Sequence, residues 1–267
     1  MSQPQPDYSL TAVAPTIAAA FGLPAPKEAV SPPMDTVCAS LGRCERVALI
    51  VLDAFGVALW EHARRLTPHF NGLAEQHLLR LESVSPPVTP VCFATLASGA
   101  APQVHQLRDR RDELRAQTVF QVLRDAGLTS AVVGQDRSSA RLVWSRFADY
   151  VRVAGSNTDD ELLDLCLQVV EQRNPNLLAT QLLDIDDAGH AHGPFSARTV
   201  EAIGLTDARL ARLCSFLGGR GYAVLVTADH GQHEGGPDPT TGAKRGTHNG
   251  STWQDFLVPL TWQVQAP

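Results

Sequence analysis

Four short segments of this chain carry carboxylates and imidazoles that could hold divalent cations. They are VLDAF around Asp53, DIDDAGH with Asp186 and His190, TADHG with Asp229 and His230, and GTHNG with His248. Carboxylate oxygens and neutral imidazole nitrogens together suit zinc or manganese, and no thiolate is needed. Between the first two segments lies PPVTPVCFATLASG, which places Thr89 just before Pro90 and a short apolar helix. A helix N-terminus offers free N–H groups and the positive end of the dipole, both suited to a phosphate. Threonine is a poor nucleophile until coordination to a cation favours its alkoxide. The chemistry that these residues could carry out together is cleavage of a phosphate ester at a two-metal centre.

Each segment alone has a plainer reading. Asp53 could cap a helix, the run Asp184, Asp186 and Asp187 could be a solvated loop, and His248 could be a surface histidine. Asp-His is a common dipeptide, and Thr-Pro is a common helix start. What argues for a site is where the elements put the segments. RVALIVLD is a continuous apolar run ending in Asp53, as in a buried parallel strand. NLLATQLLDID and YAVLVTADH are two more such runs ending in acidic residues. In open α/β sheets, ligand sites form beyond the carboxyl ends of the strands, so side chains far apart in sequence can converge there.

The rest of the chain supplies the alternation. LLRLESV and TSAVVG read as further strands, and VPLTWQV as a strand closing one edge of the sheet. VALWEHARRL, TVFQVLRDAG, DDELLDLCLQVVEQ and ARTVEAIGLTDARLARLCSFLGG read as helices. TPVCFATLASG reads as a helix with Thr89 at the N-cap, Pro90 at the first helical position and Gly99 at the exit. Residues 1–45 are rich in Pro and Ala, with one helix near Val13 to Phe21 closed by Gly22 and Pro24. The expectation is an α/β fold with a mostly parallel central sheet flanked by helices on both faces. It would form a single domain over residues 1–267, with the 1–45 segment packed on it.

Composition narrows the function classes. The chain has 267 residues, 44% hydrophobic content and a formal net charge of -6. That is enough for a sizeable core, and no basic stretch marks a nucleic-acid duplex as partner. No apolar run approaches the ~20 residues of a membrane helix, and MSQPQPDYSL lacks the basic start of a signal peptide. The expected location is the cytoplasm, and oligomeric state is left open. The five cysteines, Cys38, Cys44, Cys92, Cys166 and Cys214, are odd in number and scattered, so they read as reduced thiols.

From Arg46 to Trp262 these segments resemble, in the expected order, the alkaline phosphatase superfamily. They are nearest to its nucleotide pyrophosphatase/phosphodiesterase-like phosphohydrolases. In that branch the nucleophile is a threonine and the middle motif is D-x-x-G-H-x-x-G, here DDAGHAHG, so that Asp186 and His190 are the ligands and Asp184 and Asp187 are not. The resemblance implies two divalent metal ions, usually zinc with manganese as the alternative. Asp53, Asp229, His230 and the Thr89 oxygen would hold one, and Asp186, His190 and His248 the other. It also implies a small phosphorylated substrate and a phospho-threonine intermediate on Thr89. TAVAPTIAAAFGLPAP resembles a helix that many members carry after the final histidine, so its place before the first motif suggests a local permutation. There is little room for a cap domain, which predicts an open site.

The chain departs from the nucleotide diesterases after Thr89, where it reads PVCFATLASG instead of a Phe-Pro-Asn-His run. Those enzymes place a phosphate-binding Asn 21 positions after the nucleophile, and Arg110 stands at that position here. Arginine can grip a phosphate through two donors. Arg110, or Arg108 beside it, is therefore expected to bind phosphate and favour the monoester dianion, against the plainer reading of RDRRDELR as a solvated charge run. Cys92 is followed by Phe-Ala-Thr, so the C/S-x-P-x-R pattern of sulfatases is absent. A phosphosugar mutase of the same superfamily and a non-catalytic metal- or phosphate-binding protein are the competing functions. His192 and His233, one step beyond two ligand segments, could face the ligands, the substrate or solvent.

Overall fold

In the computed structural model the described residues are 4–237, 242 and 244–265. The strands in chain order are β1 (Tyr8–Ser9), β2 (Val47–Leu52), β3 (Leu78–Glu82), β4 (Ser130–Gln135), β5 (Tyr150–Ala154), β6 (Leu177–Leu182), β7 (Ala223–Thr227), β8 (His233–Pro237), β9 (Lys244–Thr247) and β10 (Leu257–Gln263). Eight form one sheet in the order β1-β3-β10-β7-β2-β6-β4-β5, and β8 and β9 form a separate hairpin. β10 runs antiparallel to both of its neighbours, while the other pairings in the large sheet are parallel.

Every residue of β2, β4, β6 and β7 is buried. That explains their mostly apolar character: a parallel strand covered on both faces has no solvent-facing side to alternate with. Two groups of helices provide the cover. Val57–Ala63, Pro68–Gln76 and Asp159–Arg173 pack against Ala197–Gly218 in one group. Val13–Ala20 and Val119–Asp125 pack against Thr89–Ser98 in the other. The Pro/Ala-rich N-terminal segment is tied in by pairing of β1 with β3 and by helix Val13–Ala20, seven of whose eight residues are buried. Each large apolar side chain buried this way contributes about 1.5–3 kcal/mol.

Two expectations need correction. The VPLTWQV segment is not an edge strand, since β10 lies between β3 and β7. Pro259 withholds one N–H from that interior ladder, but its carbonyl accepts from Thr227 Oγ1 at 3.0 Å. The edges are instead β1 and β5, and β5 had no clear signal in the sequence. The run NLLATQLLDID does not stay extended to its acidic end. β6 stops at Leu182, and Asp184–His192 is a helix.

Candidate active site

β2 and β7 are parallel neighbours, with Val51 opposite Thr227, so the residues just beyond their ends lie side by side. Asp53 and Asp229 occupy those positions, and both are buried. Ala54 turns the chain with φ 60, in the left-handed region, and its N–H donates to Asp229 Oδ1 at 3.2 Å. Gln181 Nε2 donates to Asp53 Oδ2 at 2.6 Å. The remaining oxygens, Asp53 Oδ1 and Asp229 Oδ2, are buried and have no hydrogen-bond partner among the described residues. His230 Nε2 lies 3.6 Å from the first and 3.3 Å from the second. Its Nδ1 is 3.1 Å from the Gly231 carbonyl, which can only accept, so Nδ1 carries the proton and Nε2 presents a lone pair.

Thr89 Oγ1 lies 3.1 Å from that same His230 nitrogen. Helix Thr89–Ser98 begins one residue earlier than the sequence reading placed it. Val88 is the N-cap, Thr89 the first helical residue, and no side chain caps the helix. The Thr89 hydroxyl is thus not spent on a backbone N–H and points at the Asp53, Asp229 and His230 group. Gly99 closes the helix with φ +68, as expected.

A second group lies beside the first. His190 Nε2 is 3.3 Å and His248 Nε2 3.9 Å from Asp186 Oδ1, and the two imidazole nitrogens are 3.1 Å apart. His190 Nδ1 is anchored on the Gly246 carbonyl and His248 Nδ1 on the Pro87 carbonyl, each at 2.9 Å. In the neutral rings both Nε2 atoms present lone pairs to each other, which is unfavourable without a cation or a proton between them, and the hydrogen bond to Asp186 raises the His190 pKa accordingly. The rings of His230 and His248 stack with centroids 4.0 Å apart, which joins the two groups. Among the described residues, Asp186–His190–His248 and Asp53–Asp229–His230 are the two groups with metal-ligand geometry.

The titration behaviour follows from this crowding. Burial pushes the Asp53 carboxyl well above its ordinary value, and the Asp229 and Asp186 charges add to the rise, while Gln181 and the Arg110 guanidinium oppose it. Burial likewise pushes Asp229 up to about 7. At Asp186 burial also acts upward, but the His190 hydrogen bond and the surrounding imidazoles outweigh it and hold the carboxyl low. Burial lowers His230, and burial with the neighbouring His230 lowers His248, so both imidazoles favour the neutral form that binds metal. Orphaned carboxylate oxygens, facing lone pairs and an all-oxygen-and-nitrogen donor set fit two divalent cations.

Arg110 is half-buried, close enough to act on Asp53, and its Nε donates to Ser139 Oγ at 3.3 Å. Arg146 Nη2 fixes the Arg110 carbonyl at 2.5 Å. Arg108 is exposed. Asp184 pairs with Arg209 and Asp187 with Arg137, so neither turns toward the ligand groups. His192 is exposed. His233 Nδ1 meets Asp255 Oδ1 at 2.6 Å and its Nε2 meets Ser251 Oγ at 3.2 Å, which ties down the loop that carries His248.

The groups that orient these candidate ligands are less legible in the sequence. Gln181 sits in a run that reads as an apolar strand, where a polar residue is a usable signal. Gln232, which follows the Asp-His-Gly motif, is fully buried. Its Nε2 donates to Asp186 Oδ1 and, at 3.3 Å, to the Asp186 carbonyl. A Cβ on Gly189 would stand 1.9 Å from Gln232 Oε1, so the glycine of D-x-x-G-H makes room for this amide. Ser83 Oγ donates to the Asp229 carbonyl at 2.5 Å.

A family model described as type I phosphodiesterase / nucleotide pyrophosphatase matches residues 47–241, well over half of the chain. The chain belongs to this family. The matched range holds Asp53, Thr89, Asp186, His190, Asp229 and His230, while His248 lies beyond it and is brought to the site by the β8–β9 hairpin. As a type I phosphodiesterase family member the chain is also similar to a curated relative, the 2,3-bisphosphoglycerate-independent phosphoglycerate mutase of Parasynechococcus marenigrum (strain WH8102). Identity is 34% over 117 residues, which is 43% of this chain and 20% of that protein.

Solved structures share the fold. Phosphonoacetate hydrolase from Sinorhizobium meliloti 1021, in complex with phosphonoacetate, matches with TM-score 0.56 and 20% identity, covering 70% of this chain and 56% of its own. Murine ectonucleotide pyrophosphatase / phosphodiesterase 5 matches with TM-score 0.58 and 19% identity, covering 71% and 58%. The C-terminal periplasmic domain of EptC from Escherichia coli, in a complex with Zn, matches with TM-score 0.59 and 15% identity, covering 83% and 73%. The chain thus spans a fifth of the curated relative's length, and little more than half of the first two of these solved chains. No helix among the described residues is long and apolar enough to cross a membrane.

Proposed function

We propose that this protein is a two-metal phosphate-ester hydrolase that acts through Thr89. The observation that carries this reading is the pair of partnerless buried oxygens, Asp53 Oδ1 and Asp229 Oδ2, facing the His230 lone pair 3.1 Å from the Thr89 hydroxyl. Asp53, Asp229 and His230 would hold one cation, and Asp186, His190 and His248 the other. Bound there, divalent cations supply charge stabilisation to the phosphoryl group and favour ionised oxygen nucleophiles. Zinc suits the donor set, and manganese is the alternative.

Within this frame Thr89 Oγ1 gives up its proton to solvent and attacks phosphorus, the bond to the leaving oxygen breaks and that oxygen takes a proton from water, and a phospho-threonine forms that water then hydrolyses. Pro90 has no N–H and the Val91 and Cys92 N–H groups donate to the Val88 carbonyl, which leaves the Thr89 N–H to meet a phosphoryl oxygen. Arg110 adds a guanidinium on the Asp53 side and favours a doubly charged monoester. His230 keeps Nε2 deprotonated through its Nδ1 bond to Gly231, so that nitrogen offers its lone pair to the Thr89 hydroxyl 3.1 Å away or to a cation. The substrate is a small phosphorylated molecule, in keeping with the family.

The test is paired hydrolysis of p-nitrophenyl phosphate and bis-p-nitrophenyl phosphate by chelator-stripped protein, with Zn²⁺ or Mn²⁺ restored. Metal-restored cleavage that disappears in Thr89→Ala supports the reading, and the faster ester gives the substrate preference. Bound metal with no cleavage of either ester would sink it and favour a mutase or a non-catalytic binder.

A further inference from the structure

Helix Asp184–His192 delivers Asp186 and His190, yet it has no side-chain cap of its own. Leu183 holds the N-cap position and offers nothing to the free N–H groups. Those groups are met from another element. Asp159, at the start of helix Asp159–Arg173 and fully buried, accepts from Leu183 N with both oxygens at 3.1 Å and from Asp184 N at 3.0 Å. Gln135, at the end of β4, donates from Nε2 to Asp159 Oδ1 at 2.8 Å and holds the carboxylate in place. Arg209 clamps the same corner, bridging Asp184 at 2.8 Å and Asp160 at 2.7 Å.

We propose that Asp159 is a positioning residue for the second cation: it caps the ligand helix from outside and so sets the placement of Asp186 and His190. Outer partners of this kind typically change metal affinity by about 10–100-fold when removed. A cap needs only acceptor oxygen and not a charge, so an amide should serve. The structure provides for this exchange, because Gln135 Oε1 is buried and without a partner among the described residues. In Asp159→Asn, a flipped Gln135 amide could accept from the new NH₂ while the Asn oxygen keeps the backbone N–H groups.

The proposal rests on the two-cation reading above. Its test is Zn²⁺ titration of the full chain against a chromophoric chelator, with His190→Ala marking which binding step belongs to the second group. Asp159→Ala should weaken that step by about 10-fold or more and leave the other step within about 3-fold, and Asp159→Asn should stay within about 3-fold of wild type on both. If Asp159→Ala does not fold, Gln135→Met, which frees the carboxylate without removing it, should shift the same step alone. Unchanged second-step affinity in the folded variant, equal loss at both steps, or an Asn variant as weak as Ala would overturn the proposal. A wild-type chain that binds no Zn²⁺ would instead overturn the two-cation reading.

Discussion

Replacing Gly189 by alanine separates this structure from simple helix rules. Gly189 lies inside helix Asp184–His192, and glycine to alanine in a helix interior is ordinarily stabilising by about 1 kcal/mol. Here the new Cβ would stand 1.9 Å from Gln232 Oε1 and 2.8 Å from its Cδ. The amide cannot swing away cheaply, because Gln232 is fully buried and its Nε2 is held by Asp186. Moving it strains the packing by about 1–3 kcal/mol. It also breaks the bonds to Asp186, and hydrogen bonds to a charged group are worth about 1.5–3 kcal/mol. Net of the helix gain, Gly189→Ala should destabilise by about 1.5–5 kcal/mol, at about 2–4 °C per kcal/mol for a chain of this size. The assay is urea and thermal unfolding of chelator-treated protein, so that cation binding does not enter. In a double-mutant cycle, Gly189→Ala on a Gln232→Ala background should recover at least ~1 kcal/mol. A stabilised Gly189→Ala variant, or strict additivity in the cycle, would refute the reasoning.

Further outcomes follow from the site. Thr89→Ala should keep wild-type cation binding and lose about 10³-fold or more in turnover, read by metal analysis beside ester hydrolysis. Asp53→Ala and His248→Ala should each lose one cation per chain and abolish metal-dependent cleavage, with stoichiometry as the readout. Arg110→Ala should lower monoester kcat/KM by about 10-fold or more and spare the diester, and unchanged monoester turnover would remove Arg110 from the site. His105 is fully buried, its Nδ1 accepts from Leu107 N at 3.1 Å, its Nε2 meets Thr95 Oγ1 at 3.1 Å, and burial lowers its pKa to about 4. The folded-state value lies below the unfolded one, so the neutral ring supports the fold above pH ~6.5 and that support is lost as pH falls toward 4. Denaturation at pH 7 and pH 5 should show a smaller acid loss in His105→Gln than in wild type.

Much of this architecture was legible from the chain. β2, β6 and β7 announce themselves because strands buried on both faces admit few polar residues, and the ligands follow their ends. The exceptions share a cause. β10 went to the wrong place because a strand's neighbours are chosen by distant segments, and nothing local to Leu257–Gln263 encodes β3 or β7. The turn of Asp184–His192 from strand to helix depends on Asp159, 25 positions away from Asp184 in sequence, supplying the missing cap. Thr89 moved from the N-cap into the first turn because the hydroxyl is drawn to His230, a partner 141 positions away. Gln181 and Gln232 hid among apolar or motif residues since an amide gives no sign of which carboxylate it will meet.

The interior place of β10 bears on how the two halves of the candidate site are held in register. β1 and β3 join the remaining sheet only through β10. Thr89 descends from β3, whereas Asp53, Asp186 and Asp229 descend from β2, β6 and β7. The bond from Ser83 N to the Phe256 carbonyl, at 2.7 Å, marks where β10 begins to stitch the two halves together. β10 is thus the one strand whose ladders join the strand that leads to Thr89 to the strands that lead to Asp53 and Asp229. Without residues 257–263, helix Thr89–Ser98 would be tied to the other half by side-chain bonds such as Trp144 Nε1 to the Phe93 carbonyl, at 2.7 Å, and by no strand ladder. Loosening β10 should therefore be felt in the placement of the Thr89 hydroxyl before it is felt within either group of carboxylates and imidazoles.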